Sequence, residues 1–305
     1  MFKGKSLLLV LCLGFLLAFV VVGCDPVDDV IGDNGEVDVD DQGFVQIVGI
    51  DPGAGLMAAT EEAIEIYGLN LDVIEGSDAA MTAELSSAIA NNEWIVVTGW
   101  APHWKFAEWD LKFLDDPEEV FGGEEYIATI GRQDLETAMP EVFEFLQNFA
   151  WGDDEIGTVM DMNSEVDDYL GNAQTWIADN QAMVDGWLPE GFGADAAGQE
   201  VRISMVEWDC ATASTYVVAA VLEEAGYTVD ITAVDAGVMW AGTAAGDFDF
   251  FTTAWLPGTH EAYYADYSDE LVEVGVSYEG ARIGLVVPSY VTINSVTELN
   301  DYIIQ

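Results

Sequence analysis

The chain has 305 residues and is 51% hydrophobic, enough to bury a core in one large domain or in two lobes. It carries 57 Asp and Glu against 7 Lys and Arg, a formal charge of −50; this argues against a nucleic-acid partner, because phosphates are held by Lys and Arg, while the apolar content rules out low-hydrophobicity disorder as the origin of the charge. Self-repulsion of such a surface is relieved by salt, so the composition points to a salt-rich host and to carboxylates that mainly hold water.

Lys3 and Lys5 precede an uncharged apolar run from Leu7 to Val22, and Val21-Val22-Gly23-Cys24 has the small-residue-then-Cys pattern of a bacterial lipoprotein cleavage site. This predicts a signal peptide over 1–23 and a lipid on Cys24, which would tether the protein to the outer face of the cell membrane. An N-terminal membrane anchor is the alternative, but the run is short for a span. Residues 24–43 are rich in Asp, with Gly32, Gly35 and Gly43, and read as an acidic tether without the spacing of a calcium loop. With Cys12 in the leader and Cys24 modified, only Cys210 remains, so no intrachain disulfide is available, and Cys210 reads as a small buried residue.

Val45 to Ile50 reads as a strand, followed by the tight turn Asp51-Pro52-Gly53-Ala54-Gly55. Leu56 to Tyr67 has helical periodicity and stops at Gly68; Leu71 to Ile74 is a strand, Ala79 to Ala90 a helix and Trp94 to Thr98 a strand. This β-α-β-α-β order argues for a mainly parallel, helix-covered sheet. Residues 101–190 differ: an aromatic-rich loop and short helix over 102–114, a connecting strand at 126–130, and helices over 135–149, 156–170 and 173–187. Then the first pattern returns. Arg202 to Val206, Thr228 to Val234 and Phe250 to Ala254 read as strands, with helices over Ala213 to Ala225 and Ala236 to Ala245 between them. Gly68-Leu69 corresponds to Gly226-Tyr227, Met81 to Met239, and Trp100 to Trp255, each Trp being followed two residues later by Pro. The expected fold is α/β with two similar lobes and a ligand cleft between them: residues 44–125 plus about 290–305 in the first lobe, 126–289 in the second. Leu285 to Pro288, with Tyr290 to Ile293, reads as a strand crossing between lobes, and Ser295 to Leu299 as the start of a last helix.

Three strands end in tryptophan: Trp100, Trp208 and Trp255. In open parallel sheets, ligands bind beyond the carboxyl ends of the strands, so closure of two lobes would bring the three indoles together. Such a box offers negative π-faces and no acceptors, which suits a quaternary ammonium. An ordinary amine would lose its hydration there without replacement. Asp51-Pro52-Gly53-Ala54-Gly55-Leu56 places free N–H groups at the positive end of a helix, with Gly55 and Leu56 as candidate donors to an anion. His260, five residues after Trp255, is placed to donate to the same carboxylate. A metal held by His103 and His260 lacks a third ligand. No nucleophile elbow or phosphate loop is present, so no catalytic residue is assigned. Trp104 has no counterpart in the second repeat and reads as packing or cleft rim. The residues thus ask for a small zwitterion with a methylated ammonium at one end and a carboxylate at the other.

The chain also resembles the glycine betaine-binding lipoproteins of osmoprotectant ABC importers. The resemblance is carried by Gly49-Ile50-Asp51-Pro52-Gly53-Ala54-Gly55-Leu56-Met57, Val97-Thr98-Gly99-Trp100-Ala101-Pro102-His103-Trp104, Asp110-Leu111-Lys112-Phe113-Leu114-Asp115-Asp116-Pro117, Glu207-Trp208-Asp209, Ala254-Trp255-Leu256-Pro257-Gly258-Thr259-His260 and Gly284-Leu285-Val286-Val287-Pro288. It extends from about residue 45 to the end. It implies a periplasmic-binding-protein type II fold, an ammonium cage of Trp100, Trp208 and Trp255, and a carboxylate held by Gly55, Leu56 and His260. It further implies delivery of glycine betaine, and of proline betaine as a further candidate, to an ABC permease with its ATPase subunits. No cofactor and no enzymatic step are implied. The departures from the family pattern are the acidity, Ala101 and Lys105 beside the cage, and Gly258 before Thr259; they bear on selectivity among betaines. Choline or carnitine is the alternative ligand on the same fold, and an exported hydrolase or metal-binding surface protein is the alternative class.

Overall fold

Two βαβαβ runs, far apart in sequence, form the two ends of one mixed sheet. The computed structural model describes residues 42–304; the signal segment, Cys24 and nearly all of the tether lie outside the described residues. In the first run, β1 (Ile47–Val48), α1 (Gly55–Tyr67), β2 (Val73–Ile74), α2 (Asp78–Asn91) and β3 (Val96–Ala101) follow in order. Strand β1 pairs in parallel with both β2 and β3. Between the runs come α3 (Lys105–Glu108), β4 (Leu111–Phe113), β5 (Glu125–Arg132) and five helices: α4 (Leu135–Ala138), α5 (Pro140–Asn148), α6 (Asp153–Glu165), α7 (Tyr169–Asp179) and α8 (Gln181–Trp187).

The second run is β6 (Glu200–Met205), α9 (Asp209–Ala225), β7 (Thr228–Ala233), α10 (Ala236–Ala245) and β8 (Phe250–Leu256). Here β6 pairs in parallel with β7 and β8. The runs therefore share one internal strand order, β2-β1-β3 and β7-β6-β8. Their first helices end alike, at Gly68 with φ 60° and Gly226 with φ 102°, left-handed positions where a residue without Cβ is unstrained. After β8 come α11 (Glu261–Tyr267), β9 (Leu271–Pro288) and a 3-10 helix, Val296–Tyr302.

The 18-residue strand β9 joins the two ends. Its first part runs antiparallel to β5, from Leu271 opposite Arg132 to Ala281 opposite Glu125. Its second part runs antiparallel to β3, from Arg282 opposite Ala101 to Val286 opposite Val97, and also pairs with β4. The full order is β2-β1-β3-β9-β5-β8-β6-β7. This strand was legible from the sequence only at its end, because the alternation Glu273, Gly275, Ser277, Glu279 interrupts its apolar pattern. Strand β4 falls where a loop and helix were expected. The long helix expected over 135–149 breaks at Pro140, whose missing N–H opens α5 instead of continuing α4. The one expected over 173–187 divides at Asn180.

Helix α9 is buried over most of its length through Cys210, Ala211, Ala213, Ser214, Val217, Val218 and Leu222, small and β-branched residues that let neighbouring elements approach closely. At the edge of the second run, the carboxylate of Asp249 binds the guanidinium groups of both Arg132 and Arg202 at 2.9 and 2.8 Å. Arg202 N–H donates to it as well. These bonds hold Asp249 below the ordinary carboxylate range against the opposing effect of burial. Among the described residues, no helix is long and apolar enough to cross a membrane.

Candidate functional site

Trp100 is the penultimate residue of β3, Trp255 the penultimate residue of β8, and Trp208 immediately precedes α9. All three are buried, at 2–5% exposure. They line a single pocket together with Ala54, Gly55, Leu56, Thr259, Ile50 and Ile283. Its empty space, counted out to open solvent, is about 270 Å³. Both β-α runs contribute, so the pocket lies where the two ends of the sheet meet. Apart from Thr259 the wall is aromatic, aliphatic or glycine, as expected for a site that envelops methyl groups.

Gly55 and Leu56 open the 13-residue helix α1, whose N-cap, Ala54, has no side chain to cap with. The N–H groups of Met57 and Ala58 return to Ala54 O, whereas those of Gly55 and Leu56 have no acceptor among the described residues. Two free donors and the positive end of a helix dipole therefore meet at the pocket wall. Gly55 is fixed by a close approach: a Cβ there would lie 2.1 Å from Thr259 O. Thr259 is in turn held by Glu125, which accepts from Gly258 N–H at 2.8 Å, Thr259 N–H at 2.6 Å and Thr259 Oγ1 at 2.5 Å. Trp208 Nε1 donates to Asp51 Oδ1 at 3.0 Å, and Tyr263 OH to Gly53 O at 3.0 Å. The Asp-Pro-Gly turn is thereby stitched to the second run.

His260 is fully buried but is not part of the pocket lining; its ring packs against Trp208 and Trp240, centroids 5.8 and 5.7 Å away. Its Nδ1 accepts from Trp255 N–H at 3.0 Å. Burial lowers its pKa to about 3, so the ring is neutral at physiological pH. With Nδ1 accepting, the proton sits on Nε2, and that donor is buried without a partner among the described residues. A buried unpaired N–H costs about 1–3 kcal/mol, and a ligand acceptor would satisfy it.

Beside the pocket lies a cluster that sequence reasoning missed. His103 Nε2 contacts Asp78 Oδ1 at 3.0 Å and Asp209 Oδ2 at 3.7 Å. Trp104 Nε1 donates to Asp209, and Asp209 N–H donates to Asp78 at 3.2 Å. Trp104, read from sequence as packing or rim, is thus also a hydrogen-bond donor linking the two runs. Lys105 is fully buried, with its ammonium 4.0 Å from the centroid of Trp100. Burial, and then the Lys105 charge, lower His103 to about 4; Asp78 opposes the shift. Burial raises Asp209, and the facing Asp78 raises it further. Asp78, His103 and Asp209 present ligand atoms within 4.8 Å of one another. The Lys105 ammonium already supplies positive charge to both carboxylates, so a metal cation fits this set poorly. His103 and His260 enter different clusters. Cys210 adjoins both carboxylates, and burial pushes its thiol upward, away from thiolate character. Glu125 and Asp78 were not identifiable beforehand: among 57 acidic residues, only their burial distinguishes them.

A family model described as the substrate binding domain of the ABC-type glycine betaine transport system matches residues 29–179 and 199–305. A glycine betaine/carnitine transport binding protein of Listeria monocytogenes is 42% identical over 267 residues, 86% of this chain and 88% of that protein. Lactococcal OpuAC, solved in a closed-liganded conformation with glycine betaine, is 34% identical with a TM-score of 0.43, over 47% of this chain and 57% of that one. The glycine/betaine/L-proline-binding protein of Borrelia burgdorferi is 36% identical with a TM-score of 0.44, over 48% and 56%. The chain thus spans little more than half the length of these two solved relatives.

Proposed function

This chain belongs to the family of substrate-binding domains of ABC-type glycine betaine transport systems, and on that premise we propose that it captures glycine betaine in the tryptophan pocket and delivers it to a membrane permease. The observation that carries this reading is the convergence of Trp100, Trp208 and Trp255 with the free N–H groups of Gly55 and Leu56 on one small pocket. The indoles take the trimethylammonium, each contact contributing about 0.5–2 kcal/mol. The N–H groups of Gly55 and Leu56 take the carboxylate at the helix terminus, and His260 Nε2–H assists from behind the lining. No bond is made or broken.

The ligand is held between two lobes, residues 44–125 plus about 290–305 and residues 126–289, with β9 as the shared strand. Closure of the lobes completes the box and creates the form that the permease and its ATPase subunits read. Proline betaine carries the same two ends. Carnitine, which the Listeria relative's name includes, does so as well, but the small pocket favours the shorter zwitterion. The protein acts outside the cytoplasm, as substrate-binding components of importers do, and a lipid on Cys24 anchors it to the outer face of the membrane.

The test is titration calorimetry in high salt with glycine betaine, proline betaine, carnitine and choline. Glycine betaine binds tightest, and choline, which lacks the carboxylate, binds at least tenfold more weakly. Replacing Trp100, Trp208 or Trp255 by Ala weakens glycine betaine at least tenfold each. Undiminished affinity in two of the three variants would refute the cage.

A further inference from the structure

We infer that Lys105 is a specificity-determining residue of this site, and that its ammonium, held against the Trp100 indole, weakens the grip of the cage on a ligand cation. The inference rests on the reading of the pocket as a quaternary-ammonium cage. Lys105 opens α3 and is fully buried. Its Nζ has no hydrogen-bond partner among the described residues and sits 4.0 Å from the Trp100 centroid and 5.8 Å from that of Phe106. The indole face is thus the nearest source of negative potential for the amine. Trp100 lines the pocket while Lys105 does not, so the ammonium stands behind the wall that the ligand would touch.

One π system then serves two cations. Polarisation toward Lys105 leaves the pocket-facing side less negative, and the two like charges repel across the ring. The groups facing Lys105 are Asp78 at the start of α2, Asp209 and Cys210 at the start of α9, and His103 just before α3. The two carboxylates moderate the repulsion without cancelling it, since the amine lies directly on the ring. Burial lowers Lys105 to about 8, against the pull of Asp78 and Asp209, so the amine is still mostly charged at neutral pH. The effect falls on the cationic head of any ligand and leaves the carboxylate end untouched, which separates it from the role of His260.

The experiment compares the wild type with Lys105→Met, an apolar side chain of similar length. Calorimetric affinities are measured for glycine betaine, choline and tert-butylacetate, the uncharged-carbon analogue of glycine betaine. The expected result is a gain on the order of tenfold for both quaternary ligands and no gain for tert-butylacetate. Unchanged or weaker binding of the quaternary ligands by a folded variant, checked by circular dichroism, overturns the inference. So does an equal gain for all three ligands. Should the variant fail to fold, the wild type supplies the answer: affinity for choline, whose charge is permanent, rises between pH 8 and pH 9.5, above the titration of Asp209 at about 7, as Lys105 deprotonates, and a flat or falling profile overturns the inference. A wild type that binds no quaternary ammonium overturns the cage itself; a wild type that binds without these gains overturns only the role of Lys105.

Discussion

Gly55→Ala is the sharpest perturbation of the pocket, because one methyl group strikes backbone. The added Cβ would lie 2.1 Å from Thr259 O, 2.8 Å from Thr259 Cγ2 and 3.0 Å from Thr259 C. No rotamer relieves contacts with O and C. Nor does Thr259 yield easily, since Glu125 binds both its N–H and its hydroxyl. Restoring ordinary van der Waals separation of about 3.4 Å requires the start of α1 and the 258–259 loop to part by roughly 1.3 Å. A hydrogen bond of about 2.9 Å does not survive that displacement. Two charge-assisted bonds to a ligand carboxylate, each contributing about 1.5–3 kcal/mol, are therefore at stake. Taking the lower value for each, the loss is about 3 kcal/mol, on the order of a hundredfold in Kd. The fold itself is spared, because alanine suits a helix better than glycine by about 0.5–1 kcal/mol, which offsets part of the strain of moving the start of α1 away from the held 258–259 loop. Calorimetry with glycine betaine, paired with thermal unfolding of the ligand-free protein, reads both quantities. Affinity within threefold of the wild type would refute the argument, and so would a collapse of the ligand-free protein.

His260→Leu removes the unpaired Nε2 donor, and the expected loss is about tenfold for glycine betaine with a change of less than threefold for choline; equal losses would count against a carboxylate role. Asp249→Ala removes the carboxylate that Arg132 and Arg202 share; because Arg132 keeps Asp134, Arg202 keeps Asp247 O and both guanidinium groups reach solvent, the expected loss of stability in urea unfolding is about 1–3 kcal/mol. The Asp249 pKa is depressed by these partners, so its contribution is present above the unfolded carboxylate pKa and disappears as pH falls through the folded value. The two buried histidines give a second pH signature. Folded values of about 4 for His103 and about 3 for His260 lie below the unfolded 6.5. The unfolded chain therefore takes up protons that the folded protein refuses, and stability falls as pH drops from 6.5 toward those values. Asp209, raised by burial and by Asp78 to about 7, takes up its proton in the folded protein over the same interval and opposes this loss, so the histidine share is read as a difference. In 2 M salt, where surface carboxylates are screened, the wild type loses about 2 kcal/mol more than His260→Leu between pH 7 and pH 5 in urea unfolding, and parallel profiles would mean that the His260 ring is solvated.

The sequence by itself determined the repeat, the free helix start and the placing of Trp100 and Trp255 at strand ends, because these depend on local chemistry; Trp208, expected at the end of a strand, lies past β6 as the residue that opens α9. Alternating and helical periodicity, Gly68 and Gly226 as helix stops, and the abrupt change from β-branched runs to Trp are all encoded within a few residues. The long strand β9 was less legible, because its polar interruptions are offset by pairing with β5 and β3, which lie far along the chain; the split at Pro140 is local, set by its missing N–H. Only the tertiary structure decided which members of a crowd act. Glu125 holds the 258–259 loop, Asp78 joins His103 to Asp209, and Trp104 bonds across the two runs, yet each is one of many like residues in an acidic, aromatic-rich chain. What separates them is a partner more than 20 residues away and, for Glu125 and Asp78, burial. Lys105 makes the same point from the other sign. As one of seven basic residues it looked like an incidental departure beside the cage, and only its enclosure over the Trp100 ring gives its charge a consequence. Desolvation and proximity set the strength of an electrostatic interaction, and both are properties of the folded chain alone.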